Sequence, residues 1–372
     1  MRHPDGLNVA RFVGIVVASA VIESACGRAA SAQAHDAGAR MERLADGVYA
    51  IIHDRATEEW VNGNSGVVVG DNGVLVVDAT YLPSRARADI ALIRTVTDRP
   101  VRYLVITHLH RDHSGGASAY RDAFPGVSVV SGADTREFIA INRAAAARES
   151  AAPNSPLRAK LASLEAQLAS GLDSAGEPFA AAQRSALERN VRERRVELDD
   201  LSSLRVITPD VAVPHELDVF LGNKRIEIRN RGRTHSPDDV TVYVPADRVL
   251  FAGDVVEQAP LPFMGTSWPV DWTRVLRGVE AMDVATLVPG HGPVMHDLSY
   301  ARAMRELIEG VTAQVAAMLK QGLTLEQMQQ RVDTKTLRAL SPAWVGAELD
   351  ADWKRVVALL VGRAWHALRG LD

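Results

Sequence analysis

Six positions, His108 to His113, hold three histidines and one aspartate in the run "HLHRDH", directly after the apolar, β-branched stretch "VRYLVIT". At the end of a strand, side chains alternate with a period of two, so His108 and His110 point the same way and their imidazoles can converge on one ion. Asp112 and His113 fall where the strand has broken into a loop and can turn toward a second ion. Gly115 and Gly116 let the backbone pass close by before the next helix. One cluster can be coincidence, so further ligands must come from elsewhere in the chain. "RGRTHSPDDVTVYVP" offers His235 just before a strand, "RVLFAGD" ends a strand on Asp254, and "LVPGHGPV" sets His291 in a Pro-Gly-His-Gly turn. Histidines that stand alone are ordinarily surface or satisfied core residues, and His35, His53, His215, His296 and His366 are read that way.

Imidazole and carboxylate without thiolate suit Zn²⁺ and also admit Fe or Mn. Two such ions, roughly 3.5 to 4 Å apart, can share a water and lower its pKa to about 7, which produces hydroxide at neutral pH. That hydroxide is a nucleophile for a scissile carbonyl. Asp112 is the expected catalytic group, placed to orient it and pass its proton onward.

The surrounding pattern supplies elements to position these residues. "GVYAIIH", "SGVVVG" and "VLVVDAT" read as a strand meander broken by Gly, Asn and Asp turns. "RARADIALIRTVT" places Ala86, Ile90, Ile93 and Val96 at helical spacing, and strand and helix patterns then alternate through "DTREFIAINRAAAAR". This implies an α/β arrangement of layers. From about 150 to 205 the chain changes character. Ser155 and Pro156 form a helix start, Leu157, Leu161, Leu164 and Leu168 recur at heptad spacing, and Gly171 is a stop. A second helix over about 177–201 carries Leu187, Val191, Leu198 and Leu201, so the segment is expected to be a helical hairpin packed leucine to leucine. Strands return in "HELDVFLGNKRIEIRN", "DVTVYVP" and "RVLFAGD", and beyond about residue 300 the chain is expected to be helical to its end.

With 372 residues, 47% hydrophobic and 24% charged, the chain can bury a large core, and a net charge of −4 shows no basic excess of the kind nucleic acid demands. Residues 1–34 read as a secretory signal peptide: Arg2 and Arg11 come first, "FVGIVVASAVI" follows, and Ala32 and Ala34 form an A-x-A cleavage pattern before His35. The apolar run is well short of the ~20 residues that cross a bilayer as a helix, so no stable membrane span is expected. The expected location is periplasmic or secreted. Cys26, the single cysteine, lies in that leader, and Glu23 stands where a lipobox resembles Leu. The mature fold is thus expected to stand on its core and bound metal rather than on disulfides.

"THLHRDHSGG", "GRTHSPDD", "LFAGD" and "PGHGP", in that order, closely resemble the metal-binding motifs of the metallo-β-lactamase superfamily, over roughly residues 45 to 300. The resemblance implies an αββα sandwich with a metal site at one sheet edge. It implies that His108, His110 and His235 bind a first metal, Asp112, His113 and His291 a second, and that Asp254 bridges them, as in the glyoxalase II-like and lactonase-like branches. The expected organisation is a signal peptide (1–34), a metallo-β-lactamase-fold domain (35–300) carrying the helical hairpin at about 150–205, and a helical C-terminal extension (301–372).

The expected function is an exported hydrolase with two Zn²⁺ per chain that cleaves an ester, lactone or amide in a small-molecule substrate, β-lactams included. True β-lactamases of the superfamily often carry a cysteine at the position of Asp254 and a lysine three residues later for the substrate carboxylate. This chain has Glu257 there, which is expected to repel an anionic group. Trp60 in "RATEEWVNGNSG", with Phe263 and Trp268 in "EQAPLPFMGTSWPVDW", are the expected substrate contacts; Leu261, Met264 and Trp272 share the second loop. The competing reading of the tryptophans is that they pack the helical tail. A mononuclear iron sulfur-oxidising enzyme and a phosphodiesterase or nuclease are alternatives on the same scaffold. The acidic balance and the leader disfavour the latter. A non-enzymatic binding protein is disfavoured by the complete donor set.

Overall fold

A computed structural model of the chain describes residues 39–53, 62–173, 175–258 and 261–371. The expected leader and Trp60 lie outside the described residues. Seven strands form one sheet in sequential order: β1 (Ala39–Ala45), β2 (Val48–His53), β3 (Ser65–Gly70), β4 (Gly73–Val77), β5 (Val101–Val105), β6 (Ser128–Ser131) and β7 (Val211–Ala212). The first four pair antiparallel and the rest parallel. The second sheet runs in the order β12 (Thr286–Pro289), β11 (Val249–Gly253), β10 (Asp239–Val244), β9 (Arg225–Gly232), β8 (Glu216–Phe220), with only β11 and β12 parallel.

The helices between the first-sheet strands are α1 (Pro83–Arg94), α2 (Arg111–Ser114), α3 (Ala117–Ala123), α4 (Ala133–Phe138), α5 (Ala144–Ala151), α6 (Pro156–Ser170) and α7 (Ala181–Ser202). A single π-helical turn, Ile139–Arg143, joins α4 to α5. The remaining helices are α8 (Pro269–Glu280), α9 (Ser299–Lys320), α10 (Leu325–Arg331), α11 (Lys335–Arg338) and α12 (Asp350–Leu368). Among the described residues, no helix is long and apolar enough to cross a membrane.

Strand alternation builds the layers. On β3 and β4, Val68, Leu75 and Val77 face Ile226, Ile228, Val240, Val242 and Phe251 of the second sheet. Their neighbours Val67, Val74 and Val76 face Ala86 and Ile93 of α1 and Tyr120 of α3. The outer face of the second sheet is covered by Trp272 and Leu276 of α8, Met304 and Leu307 of α9, and Trp353 and Leu360 of α12. Helix, sheet, sheet, helix is the αββα order expected. The C-terminal helices belong to its outer layer. Full burial of each Val, Leu or Ile contributes about 1.5–3 kcal/mol, so three such cores sustain the fold without a disulfide.

The hairpin at 156–202 has the expected ends: Arg158 N donates to Ser155 Oγ at 3.3 Å, and Gly171 takes a left-handed φ of 72°. Leu164 on the first helix and Val191, Leu198 and Leu201 on the second are buried. The second helix starts at Ala181, later than the spacing suggests, because Asp173 Oδ1 accepts from Ala175 N and Glu177 N and holds a turn before Pro178. β1 and β7 were not expected. β1 is a partly exposed edge carrying Arg40, Glu42 and Arg43, and β7 has only two residues.

Candidate metal centre

The ligand-bearing segments all leave strands at one edge of the sandwich. The chain after β5 runs between the sheets: Ile106 N donates to Val130 O at 2.8 Å, and Val240 N to Thr107 O at 2.8 Å. It thereby delivers His108 into the interface, wholly buried. α2 then turns Asp112 and His113 back toward the same point. β11 ends one residue before Asp254, and β12 leads into the turn with His291. That turn passes so close to Asp254 that a Cβ at Gly290 would overlap the carboxylate, so glycine is required there.

Four donors, His108, His110, His235 and Asp254, lie with one ligand atom each within 4.8 Å of one another, and so do Asp112, His113 and His291. In the first group, His110 Nδ1 stands 3.0 Å from His108 Nε2 and 2.9 Å from His235 Nε2. In the second, His113 Nε2 is 3.2 Å from His291 Nε2, and His291 Nε2 is 3.0 Å from Asp112 Oδ2. Asp254 faces both groups with different atoms. Its Oδ2 is 3.3 Å from His235 Nε2 and 3.6 Å from His108 Nε2, while its Oδ1 is 3.3 Å from His113 Nε2 and 3.6 Å from His291 Nε2.

This arrangement fits a pair of cations. Ring nitrogens that crowd one point cannot all be donors to one another, and Asp254 Oδ1 is buried with no hydrogen-bond partner. Burial lowers the pKa of His108 and His110 and takes His235 down to about 3, so these imidazoles are neutral and offer lone pairs. Burial acts to raise the carboxyl of Asp254, but His113, His291, His235 and His108 together hold it well below the usual range. Burial alone would lower His113, yet Asp254, Asp112 and Asp78 raise it well above the ordinary histidine value. The second group therefore carries a proton where a cation fits.

Groups behind the ligands fix the ring orientations. His113 Nδ1 is 2.8 Å from Asp78 Oδ2, His108 Nδ1 is 3.1 Å from Thr107 Oγ1, and His291 Nδ1 donates to the carbonyl of Asn62 at 3.1 Å. Each leaves Nε2 turned inward. Asp78 sits just past β4 at φ 62°, a left-handed conformation unfavourable for aspartate, and accepts from Thr107 N and Oγ1 at 2.8 and 2.9 Å. Asn64 donates to the carbonyls of Pro289 and Gly292 at 3.0 and 2.8 Å and thus holds the His291 turn. Sequence reasoning missed Asp78, Thr107, Asn62 and Asn64. The only sequence signal was that "VVDA" ends a strand on aspartate, as "FAGD" does.

The expected lip divides. Phe263 is exposed, with its ring centre 6.4 Å from His110 and 6.0 Å from His235, so it borders the first group. Trp268 instead lies under the guanidinium of Arg363 from α12, at 5.2 Å. Trp272 is fully buried and donates from Nε1 to Val255 O at 2.9 Å; Leu261 and Met264 are buried as well. The tail thus claims both tryptophans of this loop. Glu257 also differs from its expected place. It is buried beneath His235, with Oε2 3.5 Å from Nδ1, and accepts from Phe263 N. Burial first, and then Asp254, push its pKa well above the ordinary carboxylate value. It is turned into the protein beneath His235 rather than exposed on the cleft wall, where an anionic substrate would meet it. His53, read as structural, is buried against Asp89 at 2.9 Å.

Comparison with known proteins places this geometry. The chain is 22% identical over 276 residues to the linear primary-alkylsulfatase of Pseudomonas sp. (strain ATCC 19151), covering 72% of this chain and 49% of that protein. The chain thus spans about half the length of that relative. Its structure is similar to a metallo-beta-lactamase from Pontibacter korlensis, with TM-score 0.52 and 19% identity over 73% of this chain and 99% of that one. It is also similar to the stereoselective inverting sec-alkylsulfatase Pisa1 from Pseudomonas sp., with TM-score 0.57 and 15% identity over 90% of this chain and 51% of that one. The family profile of the metallo-beta-lactamase superfamily matches residues 59–291. That match spans well over half of the chain and includes every donor described above, and the chain belongs to the metallo-beta-lactamase superfamily.

Proposed function

We propose that this protein is a hydrolase with two Zn²⁺ ions per chain that cleaves an ester, lactone or amide of a small molecule, β-lactams among the candidates. The observation that carries the reading is Asp254, whose two oxygens face two separate groups of donors, one of them with no hydrogen-bond partner. His108, His110 and His235 would hold one ion, Asp112, His113 and His291 the other, and Asp254 both. When bound, such ions supply Lewis acidity and an acidified water. The chain's own residues do the rest. Asp112, a quarter exposed at most, would orient such a water from the rim of the second group and accept its proton. Phe263 shields the first group from bulk solvent and offers an apolar contact. Donors without thiolate agree with zinc and leave iron as the ion to exclude.

A screen of purified protein against nitrocefin, lactones, aryl esters and phosphodiesters, with and without chelator and with metal counted per chain, tests this reading. Chelator-sensitive turnover of a carbonyl substrate with two zinc ions supports it; one iron per chain with no hydrolysis overturns it. A second reading, sulfate-ester hydrolysis, is favoured by the alkylsulfatase named among the relatives in sequence, so an alkyl sulfate belongs in the same screen. Export is proposed on the pattern of residues 1–34, and a mature N-terminus at His35 by mass spectrometry is the expected result.

A further inference from the structure

The helical insertion has no part in the donor set, yet it closes a cationic cavity on the outer flank of the metal loop. This cavity, about 30 Å³, lies between Ser114 and Ala117 on one side, Ile139 and Arg143 on the second, and the chain leaving α7 at Leu204–Ile207 on the third. It shares Ala147, Leu204 and Val206 with a neighbouring groove of about 360 Å³ that runs along α5 to Ala151 and Leu201. The two volumes adjoin at these three residues. Their walls are aliphatic, and their charged lining residues are four arginines, Arg111, Arg143, Arg148 and Arg205, with no aspartate or glutamate among the described residues.

The arginines at the inner end differ in their partners. Arg111 is engaged: it lies 4.0 Å over the Tyr81 ring and 3.3 Å from Glu197 of α7, a carboxylate that Arg194 also contacts at 3.3 Å. Arg205 pairs with Asp122 at the surface. Arg143 has no carboxylate partner among the described residues. It donates from Nη2 to the carbonyl of Leu109, between His108 and His110, and its Nε is buried without a hydrogen-bond partner. Burial and the nearby Arg111 lower its pKa to about 10, which leaves it charged at neutral pH. A buried, unpaired donor on a cation is unfavourable unless something accepts from it.

We propose that the insertion builds a binding site for a monoanion with a short apolar chain, of the kind a medium-chain carboxylate presents, with the anionic head on Arg143 beside Arg111 and the chain along the groove past Ala147 and Leu201. The head completes the Arg143 fork with a charge-assisted hydrogen bond. The groove falls in the size range of small-molecule pockets. The cavity and groove lie behind the loop that carries His110, Asp112 and His113, so the site is separate from the metal centre and does not depend on the hydrolase reading.

Calorimetric titration of the metal-loaded protein with octanoate, 1-octanol and acetate tests it, repeated after chelation. Octanoate is expected to bind about tenfold or more tightly than either comparison ligand, and to bind equally after chelation. Arg143→Gln should weaken octanoate about tenfold or more, and Arg143→Lys, which keeps the charge and loses the fork, should recover only part of that loss. Ala147→Phe, which fills the shared wall and leaves the charge, should abolish octanoate binding and serves as the deciding variant if Arg143→Gln does not fold. Equal binding of octanoate and octanol, loss of binding on chelation, or unchanged affinity in Arg143→Gln or in Ala147→Phe overturns the proposal; so does no binding at millimolar octanoate.

Discussion

The two donor groups of the metal centre are built from the same residue types and differ in what stands behind them. In the first, two buried imidazoles and the half-buried one of His110, all with depressed pKa values, face Asp254, and the acid beneath them, Glu257, is itself pushed toward its neutral form. In the second, three carboxylates, Asp254, Asp112 and Asp78, surround His113 and hold a proton on it. The first group offers imidazoles already in their neutral form, while the second would have to exchange a proton for a cation. The difference predicts unequal affinities, with the first position filled more tightly and less sensitive to pH.

The largest effect belongs to the residue common to both groups. Asp254→Ala, alone or with His110→Ala, is expected to remove both ions and reduce turnover by about a thousandfold or more, since neither water acidification nor charge stabilisation survives. Metal analysis and kcat/KM on the best screened substrate read it; an apo variant with full activity would end the hydrolase reading. Next, His291→Ala should leave one ion per chain and His108→Ala none, because the first group fills independently and the second relies on a shared Asp254 already held. Equal losses in both variants would break the asymmetry.

The pH dependence follows with a definite sign. His113 has a folded pKa above 6.5, so its contribution to metal-free stability is complete below about pH 6.5 and is lost as pH rises through the folded value. Cation binding at the second group displaces that proton and gains with rising pH. The rise in Tm on adding zinc should therefore be larger at pH 8.5 than at pH 6, and a second ion should dissociate first on acidification. A Tm gain independent of pH contradicts the assigned proton.

How much of this was readable in the residues depended on range. The candidate donors His108, His110, Asp254 and His291 stood out because strand alternation or a Gly-flanked turn fixes direction locally, whereas Asp112 and His113 were read as loop residues and lie in the short helix α2. The hairpin was legible for the same reason, through Ser155, Pro156 and Gly171. What failed was set by distant packing. The burial of Trp272 needs α9 and α12, and Trp268 meets Arg363 nearly a hundred positions away. Asp78 became a support for His113 only once α2 folded back over β4. Glu257 looked like a cleft-wall charge by analogy of position, and its fate was decided by a turn that places Phe263 N on its carboxylate.

The supports themselves give the finest test of the comparison. Asp78→Asn keeps the shape behind His113 and removes the charge that holds its Nδ1 proton, so affinity for the second ion should fall about 10- to 100-fold with the first unchanged. Glu257→Gln makes the matching change behind His235, where the native carboxyl already leans to its neutral form and its contact with Nδ1, at 3.5 Å, does not make a hydrogen bond. The amide oxygen still accepts from Phe263 N. Metal content should be unchanged and kcat/KM should move by no more than about twofold, the scale of a substitution that removes no net interaction. The ratio of kcat/KM for an anionic ester to that for its neutral analogue separates the two views of this residue. A charged wall would make the ratio rise about tenfold in Glu257→Gln, whereas a neutral buried acid leaves it constant, and with it the contrast between a support that carries charge and one that carries only shape.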